Sequence, residues 1–336
     1  MDDEGVPKDM DDEGVPGGME DGDRLRVFRT ALTARRFEER ITVLARDGEV
    51  PSGLHLGAGQ EVCQAAALAA LRDDDPMLYG HRGTAYWIAR GIPLDVILCD
   101  IACRDGGTNR GKGGVMHVVD PARGVLGESG TLGGNFVIGA GVAFAERYRG
   151  TGSVTIVFFG DGTSNRGQFH EAANFAGVQR LPLILFCENN GYGLSVPVEA
   201  STAVADIADR AAGYGMPGVV VDGADPDAVF AATAEAARRA RAGEGPTLIE
   251  AKVNRIGGHW LADQERYRSD EERESVRALD PLPRLQAQLQ VGGVLTDAGV
   301  EAMEAEIGTA VDEAVAVMRS RDLVDPSTAL EGLFAS

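Results

Sequence analysis

Residues 154–195 constrain the fold more than any other part of the chain. They read VTIVFFGDGTSNRGQFHEAANFAGVQRLPLILFCENNGYGLS. Two hydrophobic runs, at 154–159 and 181–187, bracket a segment with helical apolar spacing, and each run ends in turn residues. This order predicts a strand, a loop, a helix and a second strand. Because parallel strands end at the same edge of a sheet, Asp161 would lie beside the amide pair that follows the second strand, which predicts a cation and diphosphate site.

Strands and helices alternate along the rest of the chain. Apolar spacing predicts helices at 23–46, 61–71, 93–103, 139–147, 203–212, 226–241, 281–290 and 297–318, and further strands at 218–221 and 247–253. This alternation predicts an α/β protein with a doubly wound parallel sheet flanked by helices. In such sheets ligands bind at the carboxyl ends of the strands.

Charged residues predict which parts of the chain lie outside the core. Residues 1–23 repeat DDEGVP and hold ten acidic side chains against Lys8, so we expect an acidic disordered tail. Asp23 would cap the first helix, and residues 24–336 would form one domain. Residues 261–277 are highly charged and are expected to be mostly solvated.

The composition argues against several functional classes. A formal net charge of −20 opposes nonspecific nucleic-acid binding, which depends on Lys and Arg neutralising phosphates. No hydrophobic run reaches the roughly 18 residues of a membrane span, and the N-terminus lacks the apolar core of a signal peptide. The cysteines lie in apolar contexts without CxxC spacing, which is typical of reduced, buried thiols (Cys63, Cys99, Cys103 and Cys187). We therefore expect a cytoplasmic protein that binds neither membranes nor nucleic acid.

Glycine-flanked loops carry most of the remaining chemistry. Residues 106–141 are so rich in glycine that close approach of the backbone to a ligand is the favoured interpretation. Arg82 follows His81 on a loop, where its forked donors match phosphate oxygens, although a plain surface charge is an equal alternative. Four of the five histidines lie on such loops, and His170, on a predicted helix, is the exception.

Asp161 has two interpretations. It is placed to cap a helix that begins near Ser164, a common use of Asp after a strand. It is also suited to magnesium, which prefers oxygen donors and is commonly held by one or two protein ligands together with substrate phosphates. In that case the backbone amides of Gly162 and Thr163, at the helix N-terminus, would contact phosphate. The GDG and NN motifs at successive strand ends favour the second interpretation.

These motifs identify a family resemblance. From about residue 24 to residue 289, the chain resembles the alpha subunit of the thiamin diphosphate-dependent first component of two-oxo acid dehydrogenase complexes, of the pyruvate, branched-chain or acetoin type. The GDG and NN pair looks like the thiamin diphosphate motif. Supporting segments are FEERI (37–41), HLGAGQE (55–61), HRG (81–83), GKGGVMH (111–117), GDGTSNRGQFHEAANFA (160–176), ENNGYGLS (188–195), GPTLIEA (245–251) and RYRSDEE (266–272).

The resemblance implies a thiamin diphosphate-binding fold, the diphosphate-binding half of the active site, and roles for individual residues. Magnesium would be held by Asp161, the Asn190 side chain and the Tyr192 carbonyl. The cofactor-binding residues would be Arg82, Gly130, Leu132, Gly160, Gly162, Thr163, Asn190, Arg255 and His259.

Some of these roles are more specific. Gly130 and Leu132 would contact the aminopyrimidine, with Leu132 enforcing the bent form of the cofactor. The catalytic residues would be His259, on a mobile loop over the reacting carbon, and His81, at a position where many relatives carry a phosphate-contacting Tyr.

The resemblance also implies the reaction and the partners. The cofactor would cleave a carbon–carbon bond next to a ketone, by 2-oxo acid decarboxylation or acetoin cleavage, and the fragment would pass to a lipoyl-bearing acyltransferase. A separate beta subunit, in an α₂β₂ heterotetramer, would supply the carboxylate that activates the pyrimidine.

The chain departs from the family pattern at Thr84, Val115 and Trp260, where a histidine and two serines are usual. These departures leave an alternative open, the transfer of a two-carbon ketol or acyl group from a ketose or 2-oxo acid to a carrier protein in specialised metabolism. A nonenzymatic scaffold or regulatory paralogue is a second alternative.

Overall fold

The computed structural model describes residues 18–332, so residues 1–17 of the predicted tail lie outside the described residues. Helix α1 runs over Asp21–Arg46 with Glu20 at its N-cap. The prediction that Asp23 caps this helix is wrong, and the last residues assigned to the tail are helical. Asp21 and Asp23 lie in the first turn, where negative charge favours the positive end of the helix dipole.

A five-stranded parallel sheet forms the centre of the fold. Its strands are β1 (Met77–Leu78), β2 (Thr155–Gly160), β3 (Leu183–Asn189), β6 (Gly218–Asp222) and β7 (Thr247–Lys252), in the order β1-β2-β3-β7-β6. A small antiparallel hairpin, β4 (Tyr192–Gly193) with β5 (Val196–Pro197), follows β3. The predicted strands are confirmed to within two residues at each end, and the edge strand β1 was not predicted.

Helices cover both faces of the sheet. After α1 they are α2 (Glu61–Ala69), α3 (Thr84–Ala89), α4 (Leu94–Ile101), α5 (Gly134–Arg149), α6 (Gly167–Gln179), α7 (Val198–Ser201), α8 (Pro226–Arg241), α9 (Asp270–Ala278), α10 (Pro281–Val291) and α11 (Asp297–Ser320). Short 3₁₀ segments cover Pro121–Arg123, Asp161–Asn165, Ile207–Tyr214 and Pro326–Leu330. Within the described residues, no helix is long and apolar enough to cross a membrane.

Side-chain alternation along the strands produces two cores. Ile156 and Phe158 of β2 point to one face and join the core formed with α1, α2, α4, α8 and α11. Val157 and Phe159 point to the other face and pack with α5 and α6. Burial on both faces explains why the strands read as continuous hydrophobic runs. The doubly wound α/β class predicted from the sequence is confirmed.

One other prediction needs correction. The segment at 203–212 is not an α-helix but a 3₁₀ helix over Ile207–Tyr214, which is held to the sheet because the Ala208 N–H donates to the Glu250 carboxylate at 2.9 Å. The charged segment 261–277 is mostly solvated, as predicted, since nine of its residues are exposed and only Arg268 is buried. It contains α9, which was not predicted. The prediction of unpaired thiols is confirmed, since the four cysteines are free and three of them are buried.

Candidate functional site

Four neighbouring strands carry polar side chains just beyond their carboxyl ends. His81 and Arg82 follow β1, Asp161 follows β2, and Asn190 follows β3. Arg255 follows β7, the next strand in the sheet. The parallel register, which pairs Gly160 with Glu188 across β2 and β3, brings these strand ends together. The sheet alone therefore places both anion-binding and cation-binding groups at one edge.

A cavity of about 660 Å³ opens at this edge. It is lined by all twelve residues to which the sequence assigned a role: His81, Arg82, Gly130, Leu132, Gly160, Asp161, Gly162, Thr163, Asn190, Tyr192, Arg255 and His259. Their convergence is a finding of the structure, whereas their individual roles stay predictions.

Asp161 is buried, with 1% of its surface exposed. Burial raises the pKa of its carboxyl to about 6, and hydrogen bonds from the backbone at Asp161 and Asn190 offset part of that effect. Its Oδ2 atom has no hydrogen-bond partner among the described residues. A buried carboxylate oxygen without a partner destabilises the fold, and a divalent cation would satisfy it. Asp161 therefore fits the predicted magnesium site.

The loop after β3 supplies further oxygen atoms. The Nδ2 group of Asn190 donates to Gln60 Oε1 at 3.1 Å, and its Oδ1 accepts the Tyr192 N–H at 3.3 Å. Val198 N donates to Gly191 O, so Tyr192 and Pro197 face each other as a non-hydrogen-bonded pair. The ladder therefore does not use the Tyr192 carbonyl, which suits its predicted role as a ligand.

The predicted start of the helix after β2 is wrong. Residues Asp161–Asn165 form a 3₁₀ turn, and α6 begins only at Gly167, with Arg166 at its N-cap and no capping side chain. The interpretation of Asp161 as an ordinary N-cap is therefore not supported. The amides of Gly162 and Thr163 belong to the 3₁₀ turn rather than to an α-helix N-terminus. The turn still lines the cavity.

Two buried guanidinium groups face the same cavity. Arg82 donates to Leu56 O at 2.5 Å and to His259 O at 3.0 Å, and burial together with the charge of Arg255 lowers its pKa to about 10. Arg255 donates to the Tyr267 hydroxyl at 2.7 Å, but its Nη1 is buried without a partner. Among the described residues, neither arginine forms an ion pair. Their positive charges repel each other, so the pair favours an anion such as a diphosphate.

Three histidines cluster beside these arginines. The ring centroids of His55, His81 and His259 lie 4.6 to 5.2 Å apart. Burial, then the charge of Arg82, lowers the pKa of His55 to about 4 and that of His259 to about 3, and lowers that of His81 well below its ordinary value. The three imidazoles are therefore neutral at neutral pH.

The geometry of this cluster resembles a metal site, but its surroundings oppose a cation. Ring nitrogens of the three histidines lie within 4.8 Å of one another. However, the Arg82 guanidinium lies 3.5 Å from His259 Nδ1. A positive charge at this distance repels a cation and attracts an anion. We therefore interpret the cluster as part of the anion and substrate surface.

A buried carboxylate organises the loop before α2. Glu188 accepts hydrogen bonds from Gln60 Nε2 at 3.0 Å, from Gln64 Nε2 at 2.8 Å and from the Tyr86 hydroxyl. Gln60 in turn accepts from Asn190. Both Gln60 and Glu188 lie in segments that carry the family resemblance, but neither has a role predicted from the sequence. For Glu188 the available signal was a carboxyl group at the end of a hydrophobic run. This network orients the amide that is predicted to bind magnesium.

Helix α1 holds the His55 loop in place. Glu38 is buried, and both of its carboxylate oxygens accept the Gly57 N–H, at 2.8 and 2.9 Å. Burial raises the pKa of Glu38 to about 7. The FEERI segment therefore contributes by fixing the backbone beside His55 rather than by lining the cavity.

The loop that carries His259 is fixed by a second set of contacts. The His259 N–H donates to Asp263 Oδ2 at 2.7 Å, and the Tyr267 hydroxyl donates to the same oxygen at 2.7 Å. Arg268, which is buried, donates to Arg255 O at 2.8 Å. The charged segment after β7 therefore positions both His259 and Arg255, a role that its composition did not reveal.

One further carboxyl group lines the cavity and was missed from the sequence. Glu128 has a side chain that is 7% exposed, and its Oε2 has no hydrogen-bond partner among the described residues. Burial raises its pKa to about 8. The signal in the sequence was that Glu128 is the one charged residue between Arg123 and Glu146.

The fold and this edge define a class of protein, an α/β protein with a polar cavity at the carboxyl ends of a parallel sheet. Residues 29–326 match the family described as "Dehydrogenase E1 component". The chain belongs to this family, whose members are components of thiamin diphosphate-dependent dehydrogenases. The resemblance found in the sequence is therefore confirmed.

Relatives with described activities extend over most of the chain. The alpha subunit of acetoin:2,6-dichlorophenolindophenol oxidoreductase from Cupriavidus necator is 38% identical over 313 residues, covering 93% of this chain and 94% of that protein. The 2-oxoisovalerate dehydrogenase alpha subunit from Bacillus subtilis is 37% identical over 318 residues, covering 94% and 96%. The pyruvate dehydrogenase E1 alpha subunit from Rhizobium meliloti is 35% identical over 286 residues, covering 85% and 82%.

Proposed function

We propose that this chain is the alpha subunit of a thiamin diphosphate- and magnesium-dependent enzyme that cleaves the carbon–carbon bond next to a ketone. The substrate would be a 2-oxo acid or acetoin, in line with the activities named for the relatives. The observation that carries the proposal is the pair of unsatisfied atoms in one cavity, Asp161 Oδ2 and Arg255 Nη1. A cation would satisfy the carboxylate oxygen and an anion would satisfy the guanidinium nitrogen, and a magnesium diphosphate provides both.

The residues present fit this cofactor. Asp161, the Asn190 amide and the Tyr192 carbonyl would hold magnesium, while Arg82 and Arg255 would bind the diphosphate. When bound, thiamin diphosphate supplies a carbon nucleophile that adds to a ketone and accepts the electron pair of the bond that breaks.

The rest of the pocket orients the substrate. His81 and His259 are neutral imidazoles, so each offers one N–H donor and one lone pair to a substrate oxygen. Leu132, which is 52% exposed, would support the bent cofactor beside Gly130.

We propose that a beta subunit completes the site by contributing the pyrimidine-activating carboxylate, in an α₂β₂ heterotetramer. Two observations support a subunit interface close to the cavity. Leu132 lines the cavity yet is half exposed, and α5 and α6 carry exposed apolar residues, which are Val137, Ile138, Phe144 and Phe175. We call these four residues the apolar face. An exposed patch of this kind is typical of a protein interface.

The fragment released by cleavage would pass to the lipoyl group of a partner acyltransferase. An acyl carrier protein is the alternative acceptor. The second candidate reaction is a two-carbon ketol or acyl transfer from a ketose or 2-oxo acid. The polar side chains around His81 in the cavity favour retaining this candidate. Turnover with pyruvate and a lipoyl domain, and with no other pair of donor and acceptor, would eliminate it.

The test of the cofactor assignment is calorimetry on the chain co-purified with its beta partner. We expect thiamin diphosphate to bind only with magnesium present, and Arg255→Met to weaken binding of both thiamin diphosphate and inorganic pyrophosphate at least about tenfold, since a buried charged hydrogen bond is lost. Arg266→Met, at an exposed position, is the matched control. If wild-type complex binds no thiamin diphosphate, the scaffold alternative replaces the proposed enzyme.

A further inference from the structure

Glu128 is the one carboxyl group of the cavity wall to which the proposed function gives no task. Its Oε1 lies 3.9 Å from His81 Nδ1, and its Oε2 lies 3.9 Å from His117 Nδ1. Both separations exceed a direct hydrogen bond, so the carboxyl group is near both rings without being satisfied by either. A buried polar group left in this state is costly to the fold. A bound substrate would supply the hydrogen-bond partner that this carboxyl group lacks.

Two imidazoles and a phenol lie around Glu128. It faces His81 from the loop after β1 and His117 from the glycine-rich loop, and Tyr79 at the end of β1 is also within its electrostatic influence. The Tyr79 hydroxyl donates to Val118 O, so it does not reach the carboxyl group. No cation pairs with Glu128 among the described residues, and His81 is neutral.

Burial without a cationic partner has a chemical consequence. The pKa of Glu128 is raised to about 8, so the carboxyl group exchanges its proton close to physiological pH. A group that transfers protons is most effective when its pKa lies near the operating pH. Asp161, by contrast, is predicted to be committed to a cation.

The two substrate classes of the proposed function differ in their need for such a group. A 2-oxo acid is already ionised, and it loses carbon dioxide without giving a proton to the protein. An α-hydroxyketone must lose its hydroxyl proton as the bond between the carbonyl carbon and the carbinol carbon breaks. The electron pair of that bond stays with the fragment that contained the carbonyl carbon, and the hydroxyl oxygen becomes the oxygen of the departing aldehyde. The proton needs an acceptor.

We propose that Glu128, flanked by His81 and His117, accepts this hydroxyl proton and makes the site selective for α-hydroxyketones, such as acetoin or a ketose, over 2-oxo acids. The inference rests on the proposed function and narrows its substrate class. Selectivity has a second source, because an ionised Glu128 repels the carboxylate of a 2-oxo acid but not an uncharged hydroxyketone.

The kinetic test compares Glu128→Gln with wild type in the complex with the beta subunit. Gln is close in size to Glu but cannot accept the proton. We expect kcat/KM for acetoin to fall at least about a hundredfold, the usual contribution of a general base. We expect kcat/KM for pyruvate not to fall, because no proton is transferred to the protein, and to rise where Glu128 is ionised in wild type, because the variant no longer repels the pyruvate carboxylate. Glu301→Gln, at an exposed position on α11, is the control.

The pH profile and a spectroscopic measurement make the test independent of folding. Wild-type kcat/KM for acetoin should rise with pH and level off above about 8, and Glu128→Gln should lose this rise. Infrared difference spectra of wild type minus Glu128→Gln should show one carboxylic acid band that titrates with the same midpoint. A midpoint near the ordinary value of glutamate would overturn the proposal.

The outcomes also separate this inference from the proposed function. If wild type binds thiamin diphosphate and Glu128→Gln slows acetoin and pyruvate equally, or neither, the assignment of Glu128 is wrong while the proposed function stands. If wild type binds no thiamin diphosphate and converts no donor, the proposed function fails and the inference fails with it.

Discussion

The backbones of Gly162 and Gly193 touch where the loops after β2 and β3 meet. A Cβ atom built on Gly162 would lie 2.9 Å from the Gly193 Cα, and one built on Gly193 would lie 3.1 Å from the Gly162 Cα. Side chains at these positions would separate the two loops, and with them Asp161 from Asn190. The proposed magnesium site therefore depends on two glycines that are not themselves predicted magnesium ligands.

This contact predicts the effect of Gly162→Ala. The Cβ atom meets backbone rather than a flexible side chain, so the loops must move apart. We expect the magnesium-dependent affinity for thiamin diphosphate to fall about tenfold or more, equivalent to at least about 1.4 kcal/mol. Calorimetry on the complex measures this. Gly167→Ala, where nothing lies within 4 Å of the added Cβ, should bind like wild type. Equal affinities in both variants would contradict the proposed role of the contact.

Asp161→Asn should stabilise the chain while removing the metal site. The pKa of Asp161 is raised to about 6 in the fold, so ionisation destabilises the folded state. The free energy that ionisation of Asp161 costs the folded state is zero below about pH 4, grows as the pH rises through 6, and is constant above about pH 7. At about 1.4 kcal/mol per pKa unit it approaches about 3 kcal/mol.

Urea unfolding without added metal or cofactor measures this effect. The advantage of Asp161→Asn over wild type should be larger at pH 8 than at pH 5, and magnesium should stabilise wild type but not the variant. Asp74→Asn, an exposed substitution, controls for the loss of one surface charge. If the difference in unfolding free energy between the variant and wild type did not depend on pH, the pKa of Asp161 would not be raised in the folded protein.

We expect Glu188 to stabilise the fold through its hydrogen bonds rather than through its charge. Glu188→Ala would leave the Gln60 and Tyr86 donors unpaired inside the core and Gln64 Nε2 with only its bond to the Arg82 carbonyl, at a cost of about 3 kcal/mol or more. Glu188→Gln keeps one acceptor oxygen and should cost less. Chemical denaturation ranks the two variants. If Glu188→Gln proves the more destabilising, the carboxylate charge rather than the hydrogen bonds must dominate.

The apolar face predicts where the beta subunit binds. Phe144 and Phe175 lie 6.0 Å apart between ring centroids and are 44% and 41% exposed. Phe144→Glu should leave the fold of the chain intact, because the side chain is half exposed, and should prevent copurification with the beta subunit. Val291→Glu, on α10 and 91% exposed, should copurify normally. Size-exclusion chromatography with light scattering reports both results. Normal assembly of Phe144→Glu would place the interface elsewhere.

The sequence was most informative where local pattern and global fold coincide. The GDG and NN motifs each follow a hydrophobic run, so the prediction that they meet needed only the assumption that the strands are parallel. The two-residue strand β1 and the six-residue helix α3 are too short to show periodicity. The α-helix predicted at 203–212 is a 3₁₀ helix in the structure, where a hydrogen bond to Glu250 holds the segment against the sheet. Local propensity carries no information about that contact.

The sequence by itself determined the class of the fold, the family, and twelve of the residues that line the cavity, because these follow from hydrophobic periodicity and from short motifs at strand ends. Only the tertiary structure decided which groups are left unsatisfied there. Whether Asp161, Arg255 or Glu128 has a partner depends on burial and on residues distant in the chain, as does the raised pKa of Glu128. Desolvation and hydrogen-bond pairing are properties of the packed chain, so they appear only when the segments have come together.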